Sequence, residues 1–167
     1  NFGVILAAAG RGERMRARLR GAAARRIAGR GAALPKSFLA VGGGPMVLRA
    51  LRALAAARAA ETVLVLPAAF VAEAVRRWGR ALRRAGVTAI VPGGARRQDS
   101  VAAGLAALGP SCRWVMVHDA ARPLVPPDVV AASARAARDC ASGADVIEAV
   151  EADTVIEATP TRIVDGE

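Results

Sequence analysis

The sequence predicts an α/β fold: a doubly wound, mostly parallel sheet with helices on both faces. Three observations carry this prediction. Short apolar runs alternate with stretches of helical periodicity, as parallel strands joined by crossover helices require. The runs are apolar throughout rather than at every second position, the mark of strands buried on both faces. Ala8-Ala9-Gly10, Gly93-Gly94 and Asp119 each follow the end of such a run, where sheets of this kind bind their ligands.

Phe2 to Ala8 is the first strand and ends in Ala9-Gly10-Arg11-Gly12. A Gly/Ala/Arg stretch runs to Leu34, and Pro35-Lys36-Ser37-Phe38-Leu39 leads to the turn Gly42-Gly43-Gly44. Pro45 suits the first turn of a helix to about Ala57, with Val47, Leu48, Leu51 and Leu54 on one face. Thr62 to Leu66 is the second strand. A helix over about Ala69 to Ala85, spaced by Val71, Val75 and Leu82, stops at Gly86. Val87 to Val91 is the third strand, followed by the loop Pro92-Gly93-Gly94-Ala95. A helix fits Gln98 to Leu108, and Trp114 to His118 is the fourth strand. Pro126-Pro127-Asp128 opens a helix to about Ala141. Asp145 to Val150 is a fifth strand, and Asp153 to Ile156 is expected to pair with Arg162 to Val164 as a hairpin. There is no internal repeat, and the one low-complexity piece is Arg16 to Ala33.

A length of 167 residues suits one domain, and 54% hydrophobic residues supply a sizeable core and argue against wholesale disorder. No apolar run reaches ~18 residues without a charge, which excludes a membrane-spanning helix. The apolar opening has no basic segment before it and reads as a strand rather than a signal peptide. The chain opens on Asn1 rather than Met, so a trimmed start is expected. Cys112 and Cys140 are too few for a disulfide scaffold or a four-ligand zinc site, and read as small buried hydrophobes in a reducing cytoplasm.

Arginine and alanine dominate the composition: 23 Arg against one Lys, at 36, with 42 Ala and one His, at 118. In such a chain a single lysine marks a place where a compact point charge is wanted and a guanidinium fork is not. The net charge of +10 is uneven. Residues 1–100 hold 19 basic and 4 acidic side chains, and residues 101–167 hold 5 and 10. A basic half calls for anions, either nucleic acid or a phosphorylated small molecule. Five aromatic residues without a Tyr, and no basic recognition helix, count against nucleic acid. Arg76, Arg77, Arg80, Arg83 and Arg84 read as a solvated helix face.

Three segments carry candidate chemistry. The first is Ala8-Ala9-Gly10-Arg11-Gly12-Glu13-Arg14-Met15 with Pro35-Lys36. Glycines at a strand end let backbone amides approach phosphate oxygens, and a basic side chain neutralises them. The spacing fits neither the dinucleotide nor the P-loop signature. The second is Gly93-Gly94-Ala95-Arg96-Arg97-Gln98-Asp99-Ser100, where a Gly-Gly turn bares amides before a helix that Asp99 or Ser100 can cap. The third is His118-Asp119-Ala120-Ala121-Arg122-Pro123. There Asp119 can hold Mg²⁺ or a sugar hydroxyl, and Arg122 can set the loop through an ion pair.

Together these segments resemble the 2-C-methyl-D-erythritol 4-phosphate cytidylyltransferase family, in the right order over essentially the whole chain. The carriers are Ala8-Ala9-Gly10-x-Gly12-x-Arg14-Met15, Pro35-Lys36-x-Phe38-Leu39, Gly93-Gly94-x-x-Arg97-Gln98-x-Ser100-Val101, Val117-His118-Asp119-Ala120-Ala121-Arg122-Pro123 and Asp153-Thr154. Sugar-nucleotide pyrophosphorylases share the first two; the next two are far more specific. The resemblance implies a Rossmann-like nucleotidyltransferase fold. It also implies transfer of CMP from CTP to 2-C-methyl-D-erythritol 4-phosphate, with Mg²⁺ and release of pyrophosphate, in the cytoplasm. By position, Arg14 and Lys36 would be catalytic, gripping the triphosphate. Ala8, Ala9, Gly10, Gly12, Gly94, Arg97, Ser100, Asp119 and Ala120 would bind the nucleotide. Asp119, Arg122 and Thr154 would meet the sugar phosphate, and Asp119 the metal. The implied partners are small molecules, with neither nucleic acid nor membrane, and a possible homodimer formed through an arm near Thr154.

The chain departs from that pattern in places. Twenty residues separate Met15 from Lys36, so 16–33 is read as a basic insertion with six Arg. Ser37 stands where Gln is usual, Ile156 where Lys is common, and Val150-Glu151 where the family has Pro-Val. The chain ends at Glu167, before the family's last strand and helix and the Arg, Asp and Lys they supply. The expectation is one cytidylyltransferase domain over 1–167 with an incomplete carboxyl end. The alternatives are a pentitol-phosphate (ribitol 5-phosphate) cytidylyltransferase, a nucleotidyltransferase for another base and, from a different class, a basic nucleic-acid-binding module.

Overall fold

A computed structural model describes residues 1–10, 34–139, 147–149 and 153–157. Among the described residues, six strands form one sheet in the order β5-β4-β1-β6-β8-β7. They are β1 (Phe2–Ala7), β4 (Glu61–Pro67), β5 (Ala89–Gly93), β6 (Trp114–Asp119), β7 (Ile147–Ala149) and β8 (Asp153–Glu157). The first four in that order are mutually parallel. β8 runs antiparallel to β6, and β7 antiparallel to β8. A small hairpin of β2 (Ala40–Val41) and β3 (Gly44–Pro45) stands apart, turned by Gly42 and Gly43 at φ of 55° and 88°. The α-helices among the described residues are α1 (Met46–Leu54), α2 (Val71–Arg84), α3 (Arg97–Ala106) and α4 (Pro127–Asp139).

Both faces of the central strands are buried, as their unbroken apolar runs require. Phe2, Val4, Leu6, Leu64, Leu66, Trp114 and Met116 form one core with residues of α1, α2 and α4. Ile5, Val63, Val65, Val115 and Val117 form the other, against Val101, Leu105 and Leu108 of α3 and its exit. Each such Leu or Ile taken fully from water is worth ~1.5–3 kcal/mol. The chain leaves β1 for β4 and β5, then crosses back to β6 on the other side of β1. That reversal opens a crevice at the carboxyl end of β1.

Several boundaries differ from the sequence reading, each for a local reason. The third strand begins at Ala89 rather than Val87, because Val87 completes the cap of α2. The Gly86 amide donates to the Arg83 carbonyl at 3.0 Å, and its φ of 95° turns the following Val87 amide back onto that of Leu82 at 3.1 Å. β5 then runs on through Pro92, which an edge strand tolerates. Val75 is 45% exposed; Ala74, Gly79 and Leu82 are the buried residues of α2. The expected partner of β8 was Arg162 to Val164, which lies outside the described residues. β8 pairs instead with β6 and with β7, the fifth strand of the sequence reading. The segments 11–33 and 158–167, with the basic insertion, also lie outside the described residues.

Two helical glycines respond oppositely to a methyl group. A Cβ on Gly104 of α3 would sit 2.7 Å from Ile5 Cγ2 in the middle of β1, whereas one on Gly79 of α2 meets nothing closer than 3.7 Å. Gly104→Ala is therefore expected to destabilise by about 1–3 kcal/mol through overpacking. Gly79→Ala should stabilise by about 0.5–1 kcal/mol by removing backbone freedom from the unfolded chain. Urea unfolding of the two variants checks both signs.

Candidate active site

Three strand ends meet at the crevice. β1 runs out at Ala7 into Ala8, Ala9 and Gly10, and this loop is pinned on both sides. The Ala8 amide donates to the Val65 carbonyl at 2.9 Å, and the Ala120 amide donates to the Ala7 carbonyl at 3.0 Å. Gly93, at the end of β5, lies against the same loop. A Cβ there would fall 2.5 Å from Ala9 Cβ and 2.6 Å from Ser100 Oγ. Ala9, Gly93 and Ser100 thus form one wall, next to Ala8 in the same loop, with Ser100 only 4% exposed.

The first turn of α3 explains its own placement. Asp99 Oδ2 accepts a hydrogen bond from the Arg96 amide at 3.0 Å, capping the helix from its third residue. The Arg96 guanidinium closes on the same carboxylate at 3.0 Å. The hydrogen bonds from the Arg96 side chain and backbone hold the Asp99 carboxyl below the ordinary 3.8. Asp99 is therefore the cap. Ser100, the other candidate, donates its hydroxyl to the Arg96 carbonyl at 3.3 Å. Gly94 is tight against the cap: a Cβ there would meet Asp99 Cβ at 2.3 Å.

The second wall is the loop after β6. Asp119 sits at the strand end beside Ala7 and is flanked by two guanidinium groups. Arg97 approaches Oδ1 at 3.3 Å through Nη2 and 3.4 Å through Nε, and Arg122 Nε lies 3.9 Å from Oδ2. The Arg97 contact joins the start of α3 to the end of β6 across 22 residues of sequence. His118 is fully buried, with Nε2 3.0 Å from the Arg122 carbonyl. A carbonyl can only accept, so this nitrogen carries the proton. The turn is closed by the Arg122 amide on the Asp119 carbonyl at 2.9 Å.

Lys36 stands in a single 3-10 turn, Lys36–Phe38. It is half-buried, and among the described residues no ion pair reaches it. Phe38 ties this turn to the sheet by packing on Phe70, just past the end of β4. Ser37 is buried, and among the described residues its Oγ has no hydrogen-bond partner. Thr154 pairs with Val117 in the β6–β8 register, two residues before Asp119. Arg14 and Gly12 lie outside the described residues.

The structure thus brings Ala8, Ala9, Gly93, Arg97, Ser100, Asp119, Ala120 and Arg122 to one edge. The pairing of Arg97 with Asp119 was not read from the sequence, although each residue had been singled out. Cys112 is buried beside Glu61, and burial together with that carboxylate pushes its thiol up, which suits a structural cysteine. Arg76, Arg77, Arg80, Arg83 and Arg84 lie exposed on α2, the first two paired with Glu73. No described helix is long and apolar enough to cross a membrane.

Known proteins resemble the chain in sequence and in fold. The chain is 42% identical over 164 residues to the bifunctional enzyme IspD/IspF of Clavibacter michiganensis subsp. michiganensis, covering 95% of this chain and 35% of that protein. It is 44% identical over 143 residues to the 2-C-methyl-D-erythritol 4-phosphate cytidylyltransferase of Streptomyces avermitilis, covering 81% and 56%. The chain therefore spans about half the length or less of these curated relatives. Among solved structures, the 4-diphosphocytidyl-2C-methyl-D-erythritol synthase of Anaerococcus prevotii superposes with a TM-score of 0.60 at 21% identity, over 83% of this chain and 51% of that one. This likeness shows the fold. The family profile of 2-C-methyl-D-erythritol 4-phosphate cytidylyltransferase matches residues 2–165, and the chain belongs to that family.

Proposed function

We propose that this chain binds CTP at the β1/β6 crevice and, in the whole protein, transfers CMP from CTP to 2-C-methyl-D-erythritol 4-phosphate. The observation that carries the reading is the Arg97–Asp119 contact, which joins a glycine-lined wall suited to a base with a carboxylate and cations suited to phosphates. Ala8, Ala9, Gly94 and Ser100 read the cytosine, largely through backbone groups. Lys36 and Arg14 hold the triphosphate. A phosphate oxygen of the acceptor attacks the α-phosphorus, the bond from that phosphorus to the bridging oxygen breaks, and pyrophosphate leaves with the electron pair. The acceptor phosphate is already ionised at neutral pH, so no general base is needed. Fixed positive charge aimed at the transition state is the main requirement.

A divalent cation fits the donor set. Mg²⁺ commonly takes one or two protein carboxylates and completes its shell with phosphate oxygens and water. Asp119 is half-exposed at the strand end, and among the described residues no cluster of three ligating side chains competes with it. When bound, the cation would neutralise charge on the triphosphate. Asp119, Arg122 and Thr154 are assigned to the acceptor, and a homodimer formed through the β7–β8 region belongs to the same proposal.

Isothermal titration of the chain with CTP, ATP and GTP, each with Mg²⁺, tests the nucleotide half. Saturable binding selective for CTP is expected. Equal binding of all three would overturn the base-reading wall. Binding to nucleic acid that falls steeply with salt would favour an electrostatic module instead. Turnover with ribitol 5-phosphate exceeding that with methylerythritol phosphate would move the acceptor to a pentitol phosphate.

A further inference from the structure

We propose that Trp78 and Phe70 are positioning residues for Lys36: they form an aromatic seat that fixes the turn carrying the ammonium group. This rests on the assignment of Lys36 to the triphosphate. Phe38 stands two residues after Lys36 in a one-turn segment closed by the Phe38 amide on the Pro35 carbonyl at 2.9 Å and the Leu39 amide on the Lys36 carbonyl at 3.1 Å. A turn this short moves as a unit, so whatever holds Phe38 also holds Lys36.

Phe38 is 3% exposed and is held by rings from two other elements. Its centroid is 5.0 Å from Phe70 at an interplanar angle of 67°, and 4.8 Å from Trp78 at 53°. Phe70 and Trp78 close the triangle at 6.0 Å. Both Phe38 contacts are inclined, edge-favouring geometries, which constrain ring direction as well as depth. Phe70 follows β4 directly, so the seat is built onto the carboxyl edge of the sheet. Trp78 comes from α2 and carries the Arg77 guanidinium 4.4 Å from its ring centre. Three of the five aromatic residues in the chain meet here, behind its only lysine. A point charge acting on a transition state is sensitive to displacements of about 1 Å, and the seat fixes the turn against such a shift.

The test is a double-mutant cycle in the full chain, comparing Trp78→Leu, Lys36→Ala and the pair, with Trp78→Phe as the conservative variant. Each is read by kcat with CTP and methylerythritol phosphate, by the Kd for inorganic triphosphate, and by melting. Trp78→Leu is expected to lower kcat by about tenfold or more, and to weaken triphosphate, only where Lys36 is present. In the Lys36→Ala background it should change neither, while lowering the melting temperature equally in both. Trp78→Phe should restore most of the loss. Effects that simply multiply in the double variant would overturn the seat and leave Trp78 as ordinary packing. A Lys36→Ala variant with parental kcat and triphosphate affinity would overturn the Lys36 assignment and the seat together, a different signature. Should Trp78→Leu not fold, Phe70→Leu runs the same cycle from the other ring.

Discussion

Replacing Lys36 with alanine is expected to lower turnover by about 10²–10³-fold, the range found when one fixed transition-state contact is removed. CTP binding should weaken by no more than about tenfold, roughly 1.4 kcal/mol. The two effects differ because of when the charge is needed. On the proposed reading, the ground-state triphosphate is also offered backbone amides at the glycine-rich strand ends and the arginines of the same edge. At the transition state negative charge builds on the α-phosphoryl oxygens and on the departing pyrophosphate, and a positioned ammonium is worth most there. Lys36 is suited to this by its surroundings: it is half-buried in a short turn that Phe38 ties to the sheet, and among the described residues no carboxylate neutralises it. Lys36→Arg should recover only part of the rate, because a broad guanidinium cannot occupy the place of a compact ammonium. Steady-state kinetics alongside calorimetric CTP titration checks both quantities. Equal losses in binding and turnover would make Lys36 a general phosphate anchor, and an unchanged rate would remove it from the reaction.

The residues that were legible in the sequence are those whose role follows from local chemistry. An apolar run such as Phe2–Ala7 has few choices other than a strand buried on both faces. Gly93-Gly94 and Asp119 each stand at the end of such a run, and position alone put them in the crevice. What could not be read were relations between distant segments. Nothing near Arg97 signals that its guanidinium meets Asp119, since that contact depends on the order β5-β4-β1-β6. Phe38, Phe70 and Trp78 are separately unremarkable apolar residues, and only the packing of α2 on the sheet edge brings them together. Val75 failed in the opposite way: helical spacing is right for it, but the stripe that turns inward is set by Ala74, Gly79 and Leu82. Strand direction at the far edge was equally hidden, because β7 and β8 are short and their antiparallel pairing is dictated by β6.

Gly93→Ala is expected to disable the nucleotide wall more completely than its size suggests, costing about 1–3 kcal/mol of stability and at least about tenfold in CTP affinity. The added Cβ would lie 2.5 Å from Ala9 Cβ, 2.6 Å from Ser100 Oγ and 3.0 Å from Val65 Cγ1. None of these is the free end of a long side chain that can swing away. Ala9 Cβ follows its backbone, Val65 is fully buried in β4, and Ser100 is held in the first turn of α3 by its bond to the Arg96 carbonyl. The strain must therefore pass into the loops, separating Ala9 from Ser100, the two groups assigned to the base. Moving α3 would also disturb Arg97 and its contact with Asp119, so loss is expected on the phosphate side as well. The helical variant Gly104→Ala supplies the control. It overpacks the same helix against Ile5, away from the crevice, and should lose comparable stability while keeping CTP affinity within about threefold. If both variants lose affinity in proportion to stability, the wall is a consequence of general packing. If only Gly93→Ala loses it, the close approach of Gly93, Ala9 and Ser100 is itself the base-binding device.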